Sequence, residues 1–475
     1  MSLYQRLVRD VLYPAALWRS GDFNQWRYLR EFERTQYLPA EELRQLQWRR
    51  LQALLHHAYA RCEFYRERFD RAGLTPGELR GLEDLGRLPL LEKSEIQEQR
   101  DRLVARDWPR HDLLPNHTGG STGAPLSFFL SNDRLRSRNA ATTRHNRWAG
   151  WDVGDKSAVL WGAPRDLPAN RWRPWLRNTI LDRQLFLDTG HLTETRLLAY
   201  HEALQRFRPK VMLAYARSAL LFARFLHDRN LKPYRPHSIV TSAEVLEPAD
   251  RALIEQVFGC PVFNRYGCRE VSVIASECEH HAGLHVMAEG LYVEIVKDGR
   301  AAQPGELGSI VITDLLNHAM PLIRYRIGDL GAWAVGDCPC GRHLPRLQQV
   351  AGRVTDFLVG PDGRLVSGVF LATYLIGQRP SLGQVQLVQE VAGQVRFRIK
   401  RGANFREAED LDFLQAATRR HLGAATVIDW DFVNDLPPEA SGKHLFSRSS
   451  VALEYLRPGK AVRQPEEELA CPRPN

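Results

Sequence analysis

From Leu126 onward the chain alternates short apolar runs with helical stretches, and this alternation limits its fold more than any other feature. Ala158-Val159-Leu160-Trp161, Ser238-Ile239-Val240-Thr241 and Val262-Phe263 read as strands, and Pro248 to Phe258 reads as a helix. Alternating strands and helices predict a layered α/β domain with a largely parallel sheet. Ligand sites in such sheets lie beyond the carboxyl ends of the strands. Ser242-Ala243-Glu244 and Tyr266-Gly267 both fall where a predicted strand has just ended, so they are expected to share a crevice.

The flanks read differently. Residues 1–110 are dense in Arg, Glu, Leu and aromatics at helical spacing, as in Glu41 to Gln47 continuing through Leu51, Leu54 and Leu55, and predict a helical lead-in to a core spanning 111–352. After Gly352-Arg353, Val395, Phe397 and Ile399 alternate with polar residues. A helix with Leu411, Leu414 and Leu422 follows, and then a strand from Val427 to Val433. That pattern predicts a small separate α+β lobe over 353–456. Residues 457–475, rich in proline and charge, read as a loosely ordered tail. At 475 residues the chain exceeds what one core usually organises, and its 44% apolar content is enough for two or three packed units.

A formal charge of +9 invites a nucleic-acid reading, but the basic residues are scattered among nearly as many acids, with no basic run or recognition helix. A solvated surface without a nucleic-acid partner is the better reading. The most apolar N-terminal run, Val11 to Trp18, is too short to span a bilayer, contains proline and lacks a cleavage pattern. A cytoplasmic protein without a transmembrane segment is expected. Lysines are scarce: eight stand against 57 arginines, so a Gly-Lys near the end is not one of many.

Seven cysteines without a secretory signal do not make a disulfide framework. Cys338-Pro339-Cys340 lies in a turn-rich segment, and upstream Cys278 precedes three imidazoles, His280, His281 and His285. Two thiolates close in sequence, joined by a distant Cys and His, match a closed tetrahedral zinc site. Cys278, Cys338 and Cys340 are the expected thiolates and His285 the preferred imidazole. The competing reading is reduced, unligated cysteines in loops.

Five short motifs complete the pattern: Thr118-Gly119-Gly120-Ser121-Thr122-Gly123, Tyr266-Gly267-Cys268-Arg269-Glu270, Tyr325-Arg326-Ile327-Gly328-Asp329, Gly352-Arg353-Val354-Thr355-Asp356 and Ser441-Gly442-Lys443. The first can turn several backbone N–H groups toward one point, with hydroxyls nearby, as phosphate oxygens require. It is not a Walker loop, because no Gly-Lys-Ser/Thr closes it and Leu126 to Leu130 looks like a strand.

The motifs and their order resemble the acyl- and aryl-adenylate-forming superfamily, closest to its phenylacetate-CoA ligase-like branch with capsule-biosynthesis-associated members, over nearly the whole chain. The resemblance implies a large N-terminal adenylate-forming domain and a small mobile C-terminal lobe. It places Thr118, Ser121, Thr122 and the loop glycines at the pyrophosphate end of ATP, and Tyr266 and Gly267 against adenine. It makes Glu270 the magnesium ligand, Asp329 the acceptor of both ribose hydroxyls and Arg353 a second ribose contact. Ser242, Ala243 and Glu244 line the adenine and acyl pockets, and Thr355 or Asp356 is the hinge. Lys443 bridges the attacking carboxylate and the α-phosphate. The chain departs from the pattern where it carries Leu126 in place of a lysine and Arg269 in place of a threonine.

A carboxylate beside a triphosphate anchors the hard cation that neutralises the leaving pyrophosphate. A mobile ammonium placed where negative charge accumulates acts mainly in the transition state. The expected activity is therefore ATP-dependent conversion of a carboxylic acid to an acyl-adenylate, followed by transfer to coenzyme A. Two rivals stand beside it: an adenylate-forming enzyme of polysaccharide or cell-envelope biosynthesis with another acceptor, and a catalytically silent homologue. Trp148, Trp151, Trp161 and Tyr215 either line an aromatic acyl pocket or belong to the core. A homodimer is a family expectation.

Overall fold

The computed structural model describes residues 3–118, 126–161, 177–189, 194–353, 357–368, 379–402, 404–436 and 445–452, with Leu371 and Leu375 between them. Gly119, Gly120, Ser121, Thr122, Gly123, Thr355, Asp356, Lys443 and the segment 457–475 lie outside the described residues, and Arg353 is described by its backbone alone. The chain forms two compact units. One runs to Ile327 and includes Gly331–Val350; the other takes Gly328–Leu330 and the chain from Ala351.

In the first unit the long helix Ala40–Arg61 follows Pro39, which cannot extend a helix backwards, and carries Glu41 and Glu42 in its first turn, where acids favour the helix dipole. Leu43, Gln47, Leu51, Leu54, Leu55 and Ala58 fall on one face at three- and four-residue spacings and are buried. The last four pack with Phe64, Tyr65 and Phe69 of the next helix, Glu63–Arg71, and each buried leucine is worth about 2 kcal/mol.

The strands are β1 (Leu114–His117), β2 (Ser127–Leu130), β3 (Ser157–Trp161), β4 (Gln184–Asp188), β5 (Val211–Tyr215), β6 (Ser238–Ser242), β7 (Val262–Cys268), β8 (Ser272–Glu277), β9 (Leu284–Val286), β10 (Leu291–Lys297), β11 (Arg300–Ala301), β12 (Gly308–Asp314), β13 (Tyr325–Trp333) and β14 (Arg346–Arg353). β1 and β2 pair antiparallel on their own. The other twelve form one sheet in the order β11-β10-β12-β13-β14-β9-β8-β7-β6-β5-β3-β4. From β4 to β7 the pairs are parallel, and all five residues of β6 are buried, as a strand covered on both faces requires. The direction reverses at β8 because only a three-residue turn joins it to β7, too short for a parallel crossover. The sheet is therefore mixed: parallel on one side and antiparallel where β7 meets β8 and β8 meets β9.

In the second unit β15 (Phe357–Val359) pairs antiparallel with β16 (Leu365–Ser367). β17 (Gln384–Gln389), β18 (Gln394–Lys400), β19 (Val427–Phe432) and β20 (Ser447–Ser449) form a sheet ordered β19-β18-β17-β20. Val395, Phe397 and Ile399 alternate inward along β18 and pack on Leu414 and Leu422 of the helix Glu407–Leu422, the crossover that makes β18 and β19 parallel. No helix among the described residues is long and apolar enough to cross a membrane.

Candidate active site

At the carboxyl end of β7 the strand bulges between Tyr266 and Gly267, and the chain turns through Arg269, Glu270 and Val271 into β8. A Cβ on Gly267 would stand 2.5 Å from the carbonyl oxygen of Ser272, so no other residue fits without opening the hairpin. Glu270 is not a surface acid beginning a helix. It occupies the turn, is only 8% exposed, and accepts a hydrogen bond at Oε1 from the Tyr325 hydroxyl at 3.1 Å.

The turn is held from behind by the helix Asn132–Trp148, whose N-cap Ser131 accepts the amide of Arg134. Arg134 and Arg138 stand four residues apart on one face of that helix. Arg138 donates to the carbonyl of Arg269 at 3.2 Å and to that of Glu270, and Arg134 donates to that of Val271 at 3.3 Å. Three successive carbonyls are thus fixed by two buried guanidinium groups. Arg134 also pairs with Asp314 on β12 at 2.8 Å. Burial pushes Arg138 down to about 9. The sequence reading missed both arginines, having taken the scattered basic residues as solvated; the available signal was their four-residue spacing just after Ser131, which follows the Gly-rich loop and the strand Leu126 to Leu130.

Of the phosphate loop, only its base is described. Thr118 donates its amide to the Leu126 carbonyl at 2.9 Å, and its hydroxyl oxygen accepts the Leu126 amide at 2.9 Å. The Leu126 side chain is fully buried with Phe128 and Leu130, which accounts for an apolar residue where a lysine is common in the family.

At the carboxyl end of β6, Ser242 is buried, Ala243 takes a left-handed φ of 72°, and Glu244 accepts the amide of Arg217 at 2.8 Å, capping the helix Ala216–Asp228. A β-carbon residue held left-handed is strained, as backbone beside a ligand often is. Three residues on, burial pushes Glu247 up to about 7. Trp161 and Tyr215 end the adjacent parallel strands β3 and β5 with ring centroids 4.0 Å apart. Trp148 instead belongs to the interior, its indole donating to Gln36 at 3.0 Å, and Trp151 packs on a small core cluster with Val211, Val240 and Phe263. Asp329 is half-buried on β13 within the second unit.

Away from this crevice, four other expected side chains come together inside the first unit. The ligating atoms of Cys278, His285, Cys338 and Cys340 all lie within 4.8 Å of one another. Cys278 follows β8, His285 sits on β9, and both other cysteines lie between β13 and β14. The pairing of Arg346 on β14 with His285 brings these segments side by side. His280 is exposed, and His281 bonds Glu277 at 3.1 Å and lies tilted against the Phe263 ring, so the structure singles out His285 among the three imidazoles.

Comparison with known proteins adds the following. A family model described as the CapK C-terminal domain matches residues 358–449. A phenylacetate-coenzyme A ligase of Thermus thermophilus is 30% identical over 334 residues, 68% of this chain and 73% of the relative. Protein CapK of Staphylococcus aureus is 23% identical over 416 residues, 86% of this chain and 90% of its own. Among solved structures, a 2-hydroxyisobutyryl-CoA ligase in its postadenylation state superimposes with a TM-score of 0.69 at 20% identity, covering 92% of each chain; at that identity the likeness is one of fold.

Proposed function

Because this chain belongs to the phenylacetate-CoA ligase-like branch of the adenylate-forming enzymes, we propose that it activates a carboxylic acid with ATP and passes the acyl group to coenzyme A. The observation that carries the reading is Glu270, a buried carboxylate at the carboxyl end of β7, in a turn that only glycine at 267 permits and that Arg134 and Arg138 immobilise. A fixed hard oxygen donor at that position suits a magnesium ion, which when bound would neutralise the leaving pyrophosphate.

In the first half-reaction a carboxylate oxygen of the acid attacks the α-phosphorus, the bond to the pyrophosphate oxygen breaks, and an acyl-adenylate remains. By the family resemblance, residues 118–123 would receive the departing phosphates, Asp329 and Arg353 would take the ribose, and Lys443 would act at the α-phosphate. In the second half-reaction the thiol sulfur attacks the acyl carbon, gives up its proton and expels AMP. Movement of the small lobe about Arg353, Thr355 and Asp356 would exchange Lys443 for the thiol between the two halves. The touching rings of Trp161 and Tyr215, at the ends of β3 and β5, would suit a flat aromatic acid if the acyl group rests against them.

A second reading is favoured by the CapK matches: the same adenylate passed to an alcohol, amine or carrier in cell-envelope polysaccharide synthesis. One experiment separates the readings: pyrophosphate release from ATP across aryl, fatty and sugar acids, with and without coenzyme A, with Lys443→Ala as control. Release that rises with coenzyme A and disappears in the variant supports the ligase. Release indifferent to coenzyme A supports the second reading, and silence across the panel counts against both and for a silent homologue.

A further inference from the structure

We propose that Cys278, His285, Cys338 and Cys340 hold a structural zinc ion that fastens β8 and β9 to the segment between β13 and β14. The donors are three thiols and one imidazole, the set that binds zinc in closed sites. Around a tetrahedral zinc, bond lengths near 2.3 Å to sulfur and 2.0 Å to nitrogen place neighbouring sulfurs about 3.7 Å apart and sulfur and nitrogen about 3.5 Å apart. The structure has Cys278 Sγ 3.6 Å from Cys338 Sγ, and Cys340 Sγ 3.3 Å from His285 Nε2. A disulfide would bring two sulfurs to about 2.05 Å. Three of the four residues are buried, and Cys340 is half-buried.

The surroundings suit a site that carries excess negative charge. Three thiolates and a neutral imidazole around a divalent cation leave one net negative charge. The Arg342 amide donates to Cys340 Sγ at 3.5 Å, while its guanidinium lies over the Trp148 ring and pairs with Glu279 at 2.9 Å. Trp148 meets the His285 ring edge-on with centroids 5.7 Å apart, which fixes the imidazole plane. With four protein ligands there is no open position, so the ion does no chemistry on substrate and its contribution is to folding.

The test is metal content of the full-length protein, purified without chelator or added metal, measured by inductively coupled plasma mass spectrometry. About one zinc per chain is expected, falling at least fivefold in Cys338→Ser and in Cys340→Ser. If those variants do not fold, cobalt exchanged into the wild-type protein supplies a second readout, with an expected thiolate-to-cobalt charge-transfer band and the intense visible absorption of a tetrahedral site. Less than a tenth of an equivalent after expression in zinc-supplemented medium, or a Cys278–Cys338 disulfide in the non-reduced mass spectrum, overturns the proposal. None of these readouts depends on adenylation, so the ligase reading can fail without affecting this one.

Discussion

The buried pair Arg134–Asp314 ties the active-site helix to β12, and cutting it from one side should be costly. Arg134 is 2% exposed and Asp314 is 0% exposed, and their contact is 2.8 Å. Arg134→Met keeps most of the alkyl packing but leaves Asp314 charged in the interior, with only the Leu316 amide at 3.2 Å donating to its carboxylate among the described residues. Breaking a buried pair by removing one partner costs about 3–5 kcal/mol. Asp314→Leu leaves the guanidinium with Ser137 Oγ at 2.9 Å and the Val271 carbonyl, neither able to neutralise it, and should cost a similar amount. The double variant removes both charges together. Its remaining cost is the orphaned Leu316 amide and the Val271 carbonyl left without its Arg134 donor, since Ser137 keeps its bond to the Arg134 carbonyl, so about 2–6 kcal/mol is expected against about 6–10 kcal/mol if the single effects added. Urea unfolding followed by tryptophan fluorescence measures all three. A single variant losing under about 1 kcal/mol, or a double variant as unstable as the sum, would refute the reasoning.

Arg138→Met should fold yet lower kcat/KM for adenylate formation by about tenfold or more, because the carbonyls of Arg269 and Glu270 lose their donor; pyrophosphate-release kinetics check this. Gly267→Ala should both destabilise the first unit by about 2 kcal/mol and abolish activity, since its methyl would meet the Ser272 carbonyl at 2.5 Å; urea titration and the same kinetic assay report the two losses. Burial holds the imidazoles of His145 and His318 below the ordinary value, with neighbouring charges (Arg144 and His57 among them) acting the same way. As pH falls through about 6.5 the unfolded chain takes up protons that the folded one refuses, so stability present at neutral pH is lost. A pH series of urea midpoints should show this, and His145→Gln should flatten it.

The parallel half of the sheet was legible because strands buried on both faces leave apolar runs, as Ala158 to Trp161 do in β3. The second-unit helix and β18 were legible because one face of each is apolar at its own period. The antiparallel half left a weaker trace: β8, β9 and β12 carry Ser, His and Thr among their buried positions, and their order depends on long-range pairing. The Cys and His set could be named from residue type and spacing, but the choice of His285 over its neighbours required the pairing of β9 with β14. Arg134 and Arg138 were least legible, because a buried arginine and a solvated one look alike until the carbonyls that face it are known.

That last blindness has a physical reason tied to function. A guanidinium presents five donors in a planar fork and stays charged, so one side chain can serve two adjacent carbonyls, as Arg138 does at Arg269 and Glu270, where a lysine would offer a compact, more strongly hydrated charge. The scarcity of lysine therefore follows in part from what the interior asks of its basic residues. The same economy shows in β8, six residues long, which begins after the turn carrying Glu270 and ends just before Cys278. One short strand thus joins the carboxylate proposed to hold magnesium to the first thiol of the proposed zinc site. With zinc bound, its ends would be fixed by different chemistry, arginine donors on one side and thiols with an imidazole on the other, which would make a carboxylate in a hairpin turn rigid enough to position a cation.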